Sequence, residues 1–479
     1  MKRVVIIGAG WGGLVTGYLL SQRGYDVTIL EQSSHVGGCL QAFNRGGIRF
    51  DTGFHIVGGL VETNPMYYFF KELDLLKLPW IQLRNQGVFL NNTSYVLPCG
   101  HEEFFRYFSD MFPHEKNNLR RYFQTFKAIV SCPIKDTMPY WEQGAWNFLS
   151  HTIADPQLRD ILSSPSMIME MNKDYLPLFA YAEIMNSFIT STCRLAEGSQ
   201  PMLDHLVQGI ENSGSCIYCN SKITQILEKN GVVAGVKMQD GTTIDADIVI
   251  AAINPILTVG LLATDTAVNK VYVRRISNLM CSMGCFTVNI KLKSGVIPMQ
   301  NEPIYVHAKG ADMWNMDTPE VQHLMVHYYP EQNALDLLTP MMWHKVQKWN
   351  CQSMNVPDND YNMFKQQTAE QCIALAESAI PDLRNAVSNY WTSTPLTWKN
   401  YINAYQGSAF GVTKDYKSPI TTMFQPRTPL KGLYITGQSM ILHGIMGTTV
   451  SAFQTAAMIE PDIPTWPRFD VTAPAFSFL

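Results

Sequence analysis

The sequence predicts an α/β fold that opens with a Rossmann-like unit, and three observations near its N-terminus support this prediction. An apolar run over residues 4–7 is typical of a buried strand. A glycine-rich turn follows this run and leads into a helical pattern of apolar residues. A second short strand over residues 26–30 ends on Glu31. Strand, glycine turn, helix, strand and acid in this order are typical of a dinucleotide-binding unit.

The glycine turn has the spacing Gly8-x-Gly10-x-x-Gly13, and each glycine has a physical reason. The first allows a sharp turn out of the strand, the second lets the backbone approach a pyrophosphate, and the third lets the helix pack on the sheet. The helix N-terminus, with Gly12, faces the phosphates with free N–H groups. Glu31 stands where a carboxylate accepts hydrogen bonds from the adenosine ribose, which argues against a 2′-phosphate. The alternative is a glycine-rich turn in another kind of α/β protein.

A second glycine pair, Gly37-Gly38, follows the ribose acid, and a short turn containing Asp51 and Gly53 comes after it. This order resembles the FAD-binding half of the amine-oxidase and phytoene-desaturase flavoproteins, in which the glycine pair passes close to the phosphates and the flavin. The resemblance, rather than the spacing, selects FAD over NAD, and it implies that these four residues lie at the cofactor. It also implies that the segment around Ile223 passes the adenine.

The composition excludes several classes of protein. A chain of 479 residues is long enough for a large core and two or three domains. A net charge of −4 gives no basic field, so we expect no nucleic-acid partner. Ten scattered cysteines suit a reduced compartment. The pair Cys216-x-x-Cys219 has no second such pair beside it, so we expect core thiols, with a redox pair as the alternative, and no metal.

No stretch is expected to span a membrane. The first 20 residues have the pattern of a signal peptide but contain the phosphate turn, so we expect them in the mature protein. Residues 432–459 carry no formal charge and are long enough to cross a bilayer, yet their polar residues and glycines favour strand, turn and helix. We expect a cytoplasmic protein that also contacts a membrane surface peripherally, through residues 101–200. Their Met and aromatic side chains favour core packing, and the alternative is the wall of a long apolar groove.

Three parts of the chain are expected to form the FAD-binding domain, interleaved with a mixed α+β substrate domain. The FAD-binding parts are residues 1–70, 201–263 and 401–479. The insertions are a helical, substrate- or membrane-facing part over residues 71–200 and a sheet with helices over residues 264–400. Within these parts the patterns predict particular elements: helices over 65–73 and 363–380, a central apolar strand over 247–252, and half-buried strands over 285–292, 303–308 and 323–329.

The chain closes with a strand, a glycine-rich loop and a helix. The strand ends at Gly437-Gln438, and we expect a helix N-terminus at Gly447, where it would stabilise negative charge on a reduced flavin. Met446 and Thr448 flank this position. These five residues complete the candidate cofactor-binding set.

The closing motif, residues 51–55 and residues 405–411 are similar to the retinol saturase and carotenoid isomerase branch of the phytoene-desaturase family. The similarity follows the whole chain in order and is highest at the two ends. It implies an FAD enzyme that acts on C=C bonds of a polyene or isoprenoid lipid as saturase, isomerase or desaturase. Bacterial carotenoid desaturases more often have an acid where Gln438 stands, so we expect reduction or isomerisation rather than desaturation.

The flavin carries out the difficult step in such enzymes, so no catalytic triad is required. His55, His443 and Tyr405 are the candidates for proton transfer, because they lie in the cofactor-side motifs. The alternative is that the histidines only hydrogen-bond the backbone or the flavin. No second GxGxxG turn is found, so NAD(P)H or a quinone would bind only transiently as electron partner. A flavin amine oxidase and a non-catalytic flavin-containing lipid-binding protein are the alternative functions.

Overall fold

The computed structural model describes residues 2–132, 136–350 and 359–465. In chain order its strands are β1 (Arg3–Ile7), β2 (Asp26–Leu30), β3 (Ala42–Arg45), β4 (Ile48–Asp51), β5 (Val57–Gly58), β6 (Trp80–Leu83), β7 (Asn85–Leu90), β8 (Thr93–Pro98), β9 (Thr192–Leu195), β10 (Cys216–Tyr218), β11 (Ile223–Lys229), β12 (Val232–Met238), β13 (Thr243–Asp245), β14 (Ile248–Ala251), β15 (Gly284–Leu292), β16 (Ile304–His307), β17 (His323–Tyr329), β18 (Ala334–Met341), β19 (Val387–Ser393) and β20 (Leu433–Ile435).

The helices are α1 (Trp11–Ser21), α2 (Pro65–Glu72), α3 (His101–Met111), α4 (Lys116–Val130), α5 (Met138–Trp141), α6 (Ala145–Thr152), α7 (Pro156–Leu162), α8 (Leu178–Thr190), α9 (Gln200–Asn212), α10 (Pro255–Gly260), α11 (Lys270–Ser277), α12 (Asn359–Ala379), α13 (Leu383–Ala386), α14 (Pro395–Ile402), α15 (Pro419–Thr422) and α16 (Gly444–Ile459). The predicted helices over 65–73 and 363–380 correspond to α2 and α12. Side-chain caps explain five of the starts in the described residues: Asn64 caps α2, Asp155 caps α7, Asn254 caps α10, Asn269 caps α11, and Thr394 forms a capping box with α14.

A five-stranded parallel sheet collects strands from three distant parts of the chain, in the order β10-β2-β1-β14-β20. β1 pairs with β2 on one side and with β14 on the other, and β14 then pairs with β20. All four residues of β14 are buried, which confirms the prediction of a central apolar strand. Helices α1 and α16 pack against each other beside this sheet. The carboxyl ends of β1, β14 and β20 therefore meet at one edge.

A seven-stranded sheet forms the second layer, in the order β19-β15-β18-β17-β16-β7-β8. The β7–β8 hairpin turns at Asn91-Asn92, both with positive φ, as a tight primed turn requires. The strands were expected to be half-buried, and this is wrong for β17, in which every residue is buried, and for β15, in which every residue but Lys291 is buried. One face of the sheet packs on α12, and the other packs on the helical segment that follows β8.

The helices of residues 101–200 form an aromatic core against that second face. Phe104, Phe108, Tyr122, Phe126 and Trp141 are all buried in it. Met111 is the exposed large apolar side chain of this segment, as far as the described residues go. The aromatic side chains thus serve core packing, and the expectation that they form a membrane-facing surface is not supported by their burial.

The uncharged stretch over residues 432–459 forms strand β20, a loop and helix α16, which confirms the predicted strand, turn and helix. Helix α16 is buried against α1, because its small residues allow close packing. Among the residues that the structure describes, no helix has both the length and the apolar character needed to cross a bilayer.

Candidate cofactor site and active site

A cavity of about 730 Å³ lies between the two sheets. Gly8 follows β1, Ala252 follows β14 and Thr436 follows β20, and all three line the cavity. Ligands of open α/β sheets bind outside the carboxyl ends of parallel strands, where this cavity begins. Its volume is within the usual range for small-molecule and cofactor sites. The opposite wall comes from the second sheet, through Met325 and Leu338.

The first glycine turn forms one end of the wall. Gly8 has a φ of +100°, which only glycine adopts easily, and Gly10 precedes the first residue of α1. A Cβ on Gly10 would meet only Gly38 Cα at 3.9 Å, so the space in front of it belongs to a ligand. Gly13 differs, because a Cβ there would lie 2.0 Å from the carbonyl oxygen of Gly8. Gly13 therefore packs the helix on the strand and does not line the cavity.

The second glycine pair lies directly across from the first turn. Gly37 has a φ of +112°, Gly38 has a φ of +56°, and both line the cavity. A Cβ on Gly38 would lie 3.1 Å from Gly10 Cα, so the two glycine segments are in close contact. Gly12 and Gly53 also line the wall. This cradle of backbone without side chains fits a pyrophosphate at the N-terminus of α1.

Glu31 lines the cavity at the end of β2, where its carboxylate is fixed by two backbone donors. Its Oε2 accepts from Ala9 N at 2.8 Å, and its Oε1 accepts from Ser33 N at 2.8 Å. Each carboxylate oxygen has a second lone pair, so both can still accept from a ribose hydroxyl. Ile223 and Lys222 line the same end. This arrangement fits the adenosine half of a dinucleotide.

The closing loop reaches the cavity from β20, and its Gly437 and Gln438 line the wall. A Cβ on Gly12 would lie 3.1 Å from Gly437 Cα, so this loop contacts the start of α1. Helix α16 begins at Gly444, earlier than the predicted start at Gly447. Because a Cβ on Gly447 would lie 2.1 Å from the carbonyl carbon of Leu442, Gly447 packs against the loop that precedes the helix.

Helix α16 lines the cavity with Gly444 and Ile445 of its first turn and with Thr448 of the next turn. Met446 and Gly447 lie outside the wall, so the structure shows no direct role for them there. The first turn of α16 contains no acidic residue, and its N-terminal N–H groups are available to a ligand.

Asp51 is buried beside the cavity rather than in its wall. Its carboxylate accepts from Ser199 Oγ at 2.8 Å and from Ser199 N at 3.2 Å. Burial raises the pKa of Asp51 to about 6, against the stabilising hydrogen bonds from Ser199. The predicted cofactor contact is absent from the cavity wall, because the carboxylate faces the start of α9 and holds β4 there.

His55 lines the cavity, and both of its ring nitrogens are buried without a hydrogen-bond partner in the protein. Burial lowers the pKa of His55 to about 4, so the ring is neutral at pH 7. The ring centroid lies 4.9 Å from that of His327, whose Nδ1 is also buried and unpaired. Sequence reasoning missed His327; its alternation with Met325 along β17 places both on the cavity-facing side of the strand.

His443 and Tyr405 occupy different positions. His443 Nε2 donates to the carbonyl oxygen of Ile168 at 3.1 Å, and its ring packs 4.3 Å from the ring of Phe410. Burial lowers the pKa of His443 to about 4. It therefore acts as a packing residue behind the wall, whereas Tyr405 lines the cavity itself.

The two ends of the cavity differ in charge. Glu31 and Lys222 are the charged side chains of the wall, within the described part of the chain, and both lie at the adenosine end. The far end is lined by uncharged side chains, among them Met167, Ile168, Cys285, Met325, Leu338 and Trp398. The described residues also contain no cluster of three metal-ligating side chains.

Comparisons with known proteins cover nearly the whole chain. The sequence profile of the family described as flavin containing amine oxidoreductase matches residues 11–459. The all-trans-retinol 13,14-reductase of Homo sapiens is 19% identical, over 95% of this chain and 85% of that protein. The chloroplastic prolycopene isomerase of Daucus carota is 21% identical, over 96% of this chain and 80% of that protein.

Solved structures give the same fold. The crystal structure of an oxidoreductase from Methanosarcina mazei superposes with a TM-score of 0.66 at 16% identity. The superposition covers 96% of this chain and 100% of that one. At this identity the likeness supports the fold alone.

Proposed function

Because the chain belongs to the family of flavin-containing amine oxidoreductases, we propose that it uses FAD to act on a C=C bond of a neutral polyene or isoprenoid lipid. Membership of this family confirms the expected α/β flavoprotein fold, FAD as cofactor and oxidoreductase chemistry. The class of substrate and the reaction type are the proposal.

The uncharged far end of the cavity carries this proposal. A carboxylate or a protonated amine at the far end would find no opposite charge among the side chains of its wall, and burying an unpaired charge is costly. Flexible Met side chains and flat apolar walls suit a long hydrocarbon instead. Two relatives that match at least 95% of this chain are named as an all-trans-retinol 13,14-reductase and a prolycopene isomerase. A neutral polyene therefore fits the cavity better than an amine does.

Different residues of the wall would hold the pyrophosphate, the adenosine and the flavin of FAD. We propose that Gly8, Gly10 and Gly12 receive the pyrophosphate together with Gly37-Gly38. Glu31 would accept from the ribose, and Ile223 would contact the adenine. The flavin end would be formed by Gly53, Gly437, Gln438 and Thr448, at the N-terminus of α16. When bound, FAD supplies hydride transfer.

Side chains of the cavity would supply proton transfer and exclude water from the substrate. His55 is neutral and has two unpaired ring nitrogens at the cavity, so one nitrogen donates a proton or the other accepts one. Tyr405 is a second polar group in the wall. The apolar side chains exclude water from the hydrocarbon. His443 is committed to Ile168 and takes no part in this proposal.

The direction that we propose is reduction of a conjugated C=C bond, or isomerisation through reduced flavin. Gln438 places a neutral amide in the wall where an acid would repel a reduced, anionic flavin. The neutral side chain makes the flavin easier for its electron donor to reduce, and both proposed reactions start from the reduced enzyme. The electron donor would be NAD(P)H or a quinone that docks transiently.

An anaerobic experiment tests both substrate and direction. Photoreduced enzyme is mixed with a retinoid or a carotenoid, and the absorbance of polyene and flavin is followed. Loss of conjugation with reoxidation of the flavin supports reduction, and a shifted polyene spectrum with the flavin still reduced supports isomerisation. Extension of conjugation by oxidised enzyme would overturn the direction. Peroxide release with amines, or no response to any polyene, would overturn the substrate class.

A water-insoluble substrate must be collected from a bilayer, so we also propose peripheral membrane contact. Tyr401 is 58% exposed at the end of α14, next to Ile402 and Asn403 of the cavity wall. An exposed aromatic ring beside the cavity suits the interfacial region of a membrane. Flotation with neutral and anionic liposomes is expected to carry the wild-type protein, and Tyr401→Ser less of it. Absence from both lipid fractions would remove this proposal.

A further inference from the structure

A buried lysine lies directly behind the closing loop of the cofactor site. Lys414 is 4% exposed, and its Nζ donates to three backbone carbonyl oxygens. The acceptors are Ser439 O at 2.6 Å, Met440 O at 2.9 Å and Thr422 O at 3.2 Å. A fully buried lysine is rare and needs a compensating interaction. The three carbonyls supply it, and two of them belong to the closing loop.

The hydrogen bonds indicate that this side chain carries a positive charge. An ammonium group has three N–H donors, which matches the three acceptors, whereas a neutral amine could satisfy only two. Burial lowers the pKa of Lys414 to about 7, and the Glu170 carboxylate and the Cys281 thiol oppose this shift. The three carbonyl dipoles favour the charged form further. The geometry therefore describes a cation held inside the protein.

Glu170 supplies the nearby negative charge. It is half-buried, has a φ of +52°, and accepts from Met283 N at 3.1 Å and from Thr413 Oγ1 at 3.3 Å. Burial raises the pKa of Glu170 to about 7, against these hydrogen bonds and the charge of Lys414. A non-glycine residue in a left-handed conformation is strained and is retained where the surroundings hold it in place. The Glu170 carboxylate therefore interacts electrostatically with the Lys414 ammonium group and partly balances its charge.

The position of Lys414 places its positive charge next to the loop that lines the flavin end of the cavity. Ser439, whose carbonyl it holds, lines the cavity together with Gly437 and Gln438. The same loop leads into α16, whose N-terminus faces the cavity at Gly444. The helix N-terminus and the ammonium group therefore act from the same side. Both stabilise negative charge in the cavity, and the interaction is strong because the surroundings are apolar.

We propose that Lys414 is a positioning residue for the cofactor, with two linked effects. Its hydrogen bonds fix the closing loop, and its charge stabilises the electron-rich reduced flavin. The inference depends on FAD bound at this loop, as in the proposed function, but it does not depend on the identity of the substrate. Its test can therefore fail or succeed separately from the polyene proposal.

The test measures the midpoint potential of bound FAD, without substrate, in variants that separate charge from hydrogen bonding. Lys414→Gln keeps amide donors without charge, Lys414→Met removes both, and Lys414→Arg keeps the charge. We expect both neutral variants to favour oxidised flavin roughly tenfold more than the wild type, about 30 mV for a two-electron couple. Lys414→Arg should keep a potential close to that of the wild type. Lys417→Met, three residues away at an exposed position, is the matched control and should change nothing.

Flavin retention provides the second readout. Lys414→Met should release FAD faster than Lys414→Gln, because it cannot bond the loop carbonyls at all. If Lys414→Met fails to fold, the comparison of Lys414→Gln with Lys414→Arg still decides the role of the charge. Equal potentials in the neutral and the charged variants would overturn the inference. A shifted potential in a protein that acts on no polyene would keep this inference and remove the proposed substrate.

Discussion

The two ends of the cavity are built in opposite ways. The adenosine and phosphate end comes mainly from one stretch, Gly8 to Glu31, with Gly37-Gly38 close behind it and with Lys222 and Ile223 added from a distant part of the chain. It presents backbone N–H groups and one fixed carboxylate. The reaction end is assembled from side chains far apart in the chain, among them Met167, Cys285 and Met325, and it is uncharged.

This difference shows what each half recognises. A pyrophosphate needs bare backbone and a helix N-terminus, which a local glycine pattern provides. A hydrocarbon needs only an apolar cavity of matching shape from which water is excluded, and many combinations of side chains provide this. The first half is therefore readable as a motif, and the second is readable only in the folded chain. Substitutions at each end should accordingly fail in different ways.

The largest effect should come from Gly13→Ala, which disrupts the packing of helix α1 on the strand at the nucleotide end. The new Cβ would lie 2.0 Å from Gly8 O and 3.1 Å from Ala252 Cβ, so helix α1 must shift. We expect a loss of about 3 kcal/mol in the free energy of unfolding. Urea unfolding of flavin-free protein measures it. Gly10→Ala is the control in the same turn, and equal losses in both variants would contradict the packing role of Gly13.

Gly10→Val should remove the cofactor while leaving the fold intact. Around Gly10 a Cβ meets only Gly38 Cα at 3.9 Å, so the protein itself tolerates a side chain there. The added methyl groups would enter the space of the pyrophosphate, and we expect roughly 100-fold weaker FAD binding, or about 2.7 kcal/mol. Flavin content after purification and FAD titration measure the loss. A variant that purifies with a full complement of flavin would move the phosphate site elsewhere.

At the reaction end, His55→Gln should change how stability depends on pH. The pKa of His55 is about 4 in the folded chain, below its ordinary value of 6.5, because of burial. Between these values the unfolded chain binds a proton at His55 that the folded chain does not, so stability falls as the pH drops through this window. From pH 7 to pH 5 the wild type should lose up to about 2 kcal/mol more than the variant.

Urea unfolding at pH 7 and pH 5 measures this difference for His55. His151→Gln, at an exposed position of α6, is the control and should follow the wild type. Parallel acid losses in wild type and His55→Gln would mean that His55 is accessible to protons in the folded state. Its role as a neutral group of the cavity would then be excluded.

The smallest effect should come from Glu31→Gln at the adenosine end. One of the bonds to Ala9 N and Ser33 N would lose its acceptor, and the ribose would lose a charged partner. We expect roughly fivefold weaker FAD binding, about 1 kcal/mol, with an unchanged flavin potential. Comparison with Lys414→Gln sharpens the contrast between the two ends, since only the latter should move the potential. A shifted potential in Glu31→Gln would show that the ends are coupled.

Much of the fold and of the nucleotide end could be predicted from the sequence, because the determining interactions are local. Gly8, Gly10 and Gly13 lie in one turn, and their conformations and spacing follow from steric limits on the backbone. The apolar run of β14 required burial on both faces, and the structure places it between β1 and β20. The closing strand and helix followed from the same patterns of residue spacing.

Other features could not be predicted, because they depend on contacts between distant parts of the chain that no local sequence pattern reveals. Asp51 and His443 lie in motifs beside the cofactor site, yet Ser199 and Ile168, each more than a hundred residues away, determine where they point. His327 and Lys414 were missed because an isolated histidine or lysine has no distinctive spacing. β17 became fully buried because α12 covers one face and the aromatic helices cover the other.

The sequence by itself therefore determined the dinucleotide turn, the presence of the strands that carry it and the type of cofactor site, since steric and helix-terminus effects act over a few residues. Only the tertiary structure decided which end of the cavity carries charged side chains and which histidine faces the cavity. It also decided that a cation lies behind the closing loop. Burial and electrostatic environment arise only when distant parts of the chain pack together. In this protein the cavity forms only where residues of the five-stranded sheet, the seven-stranded sheet and the helical segment meet.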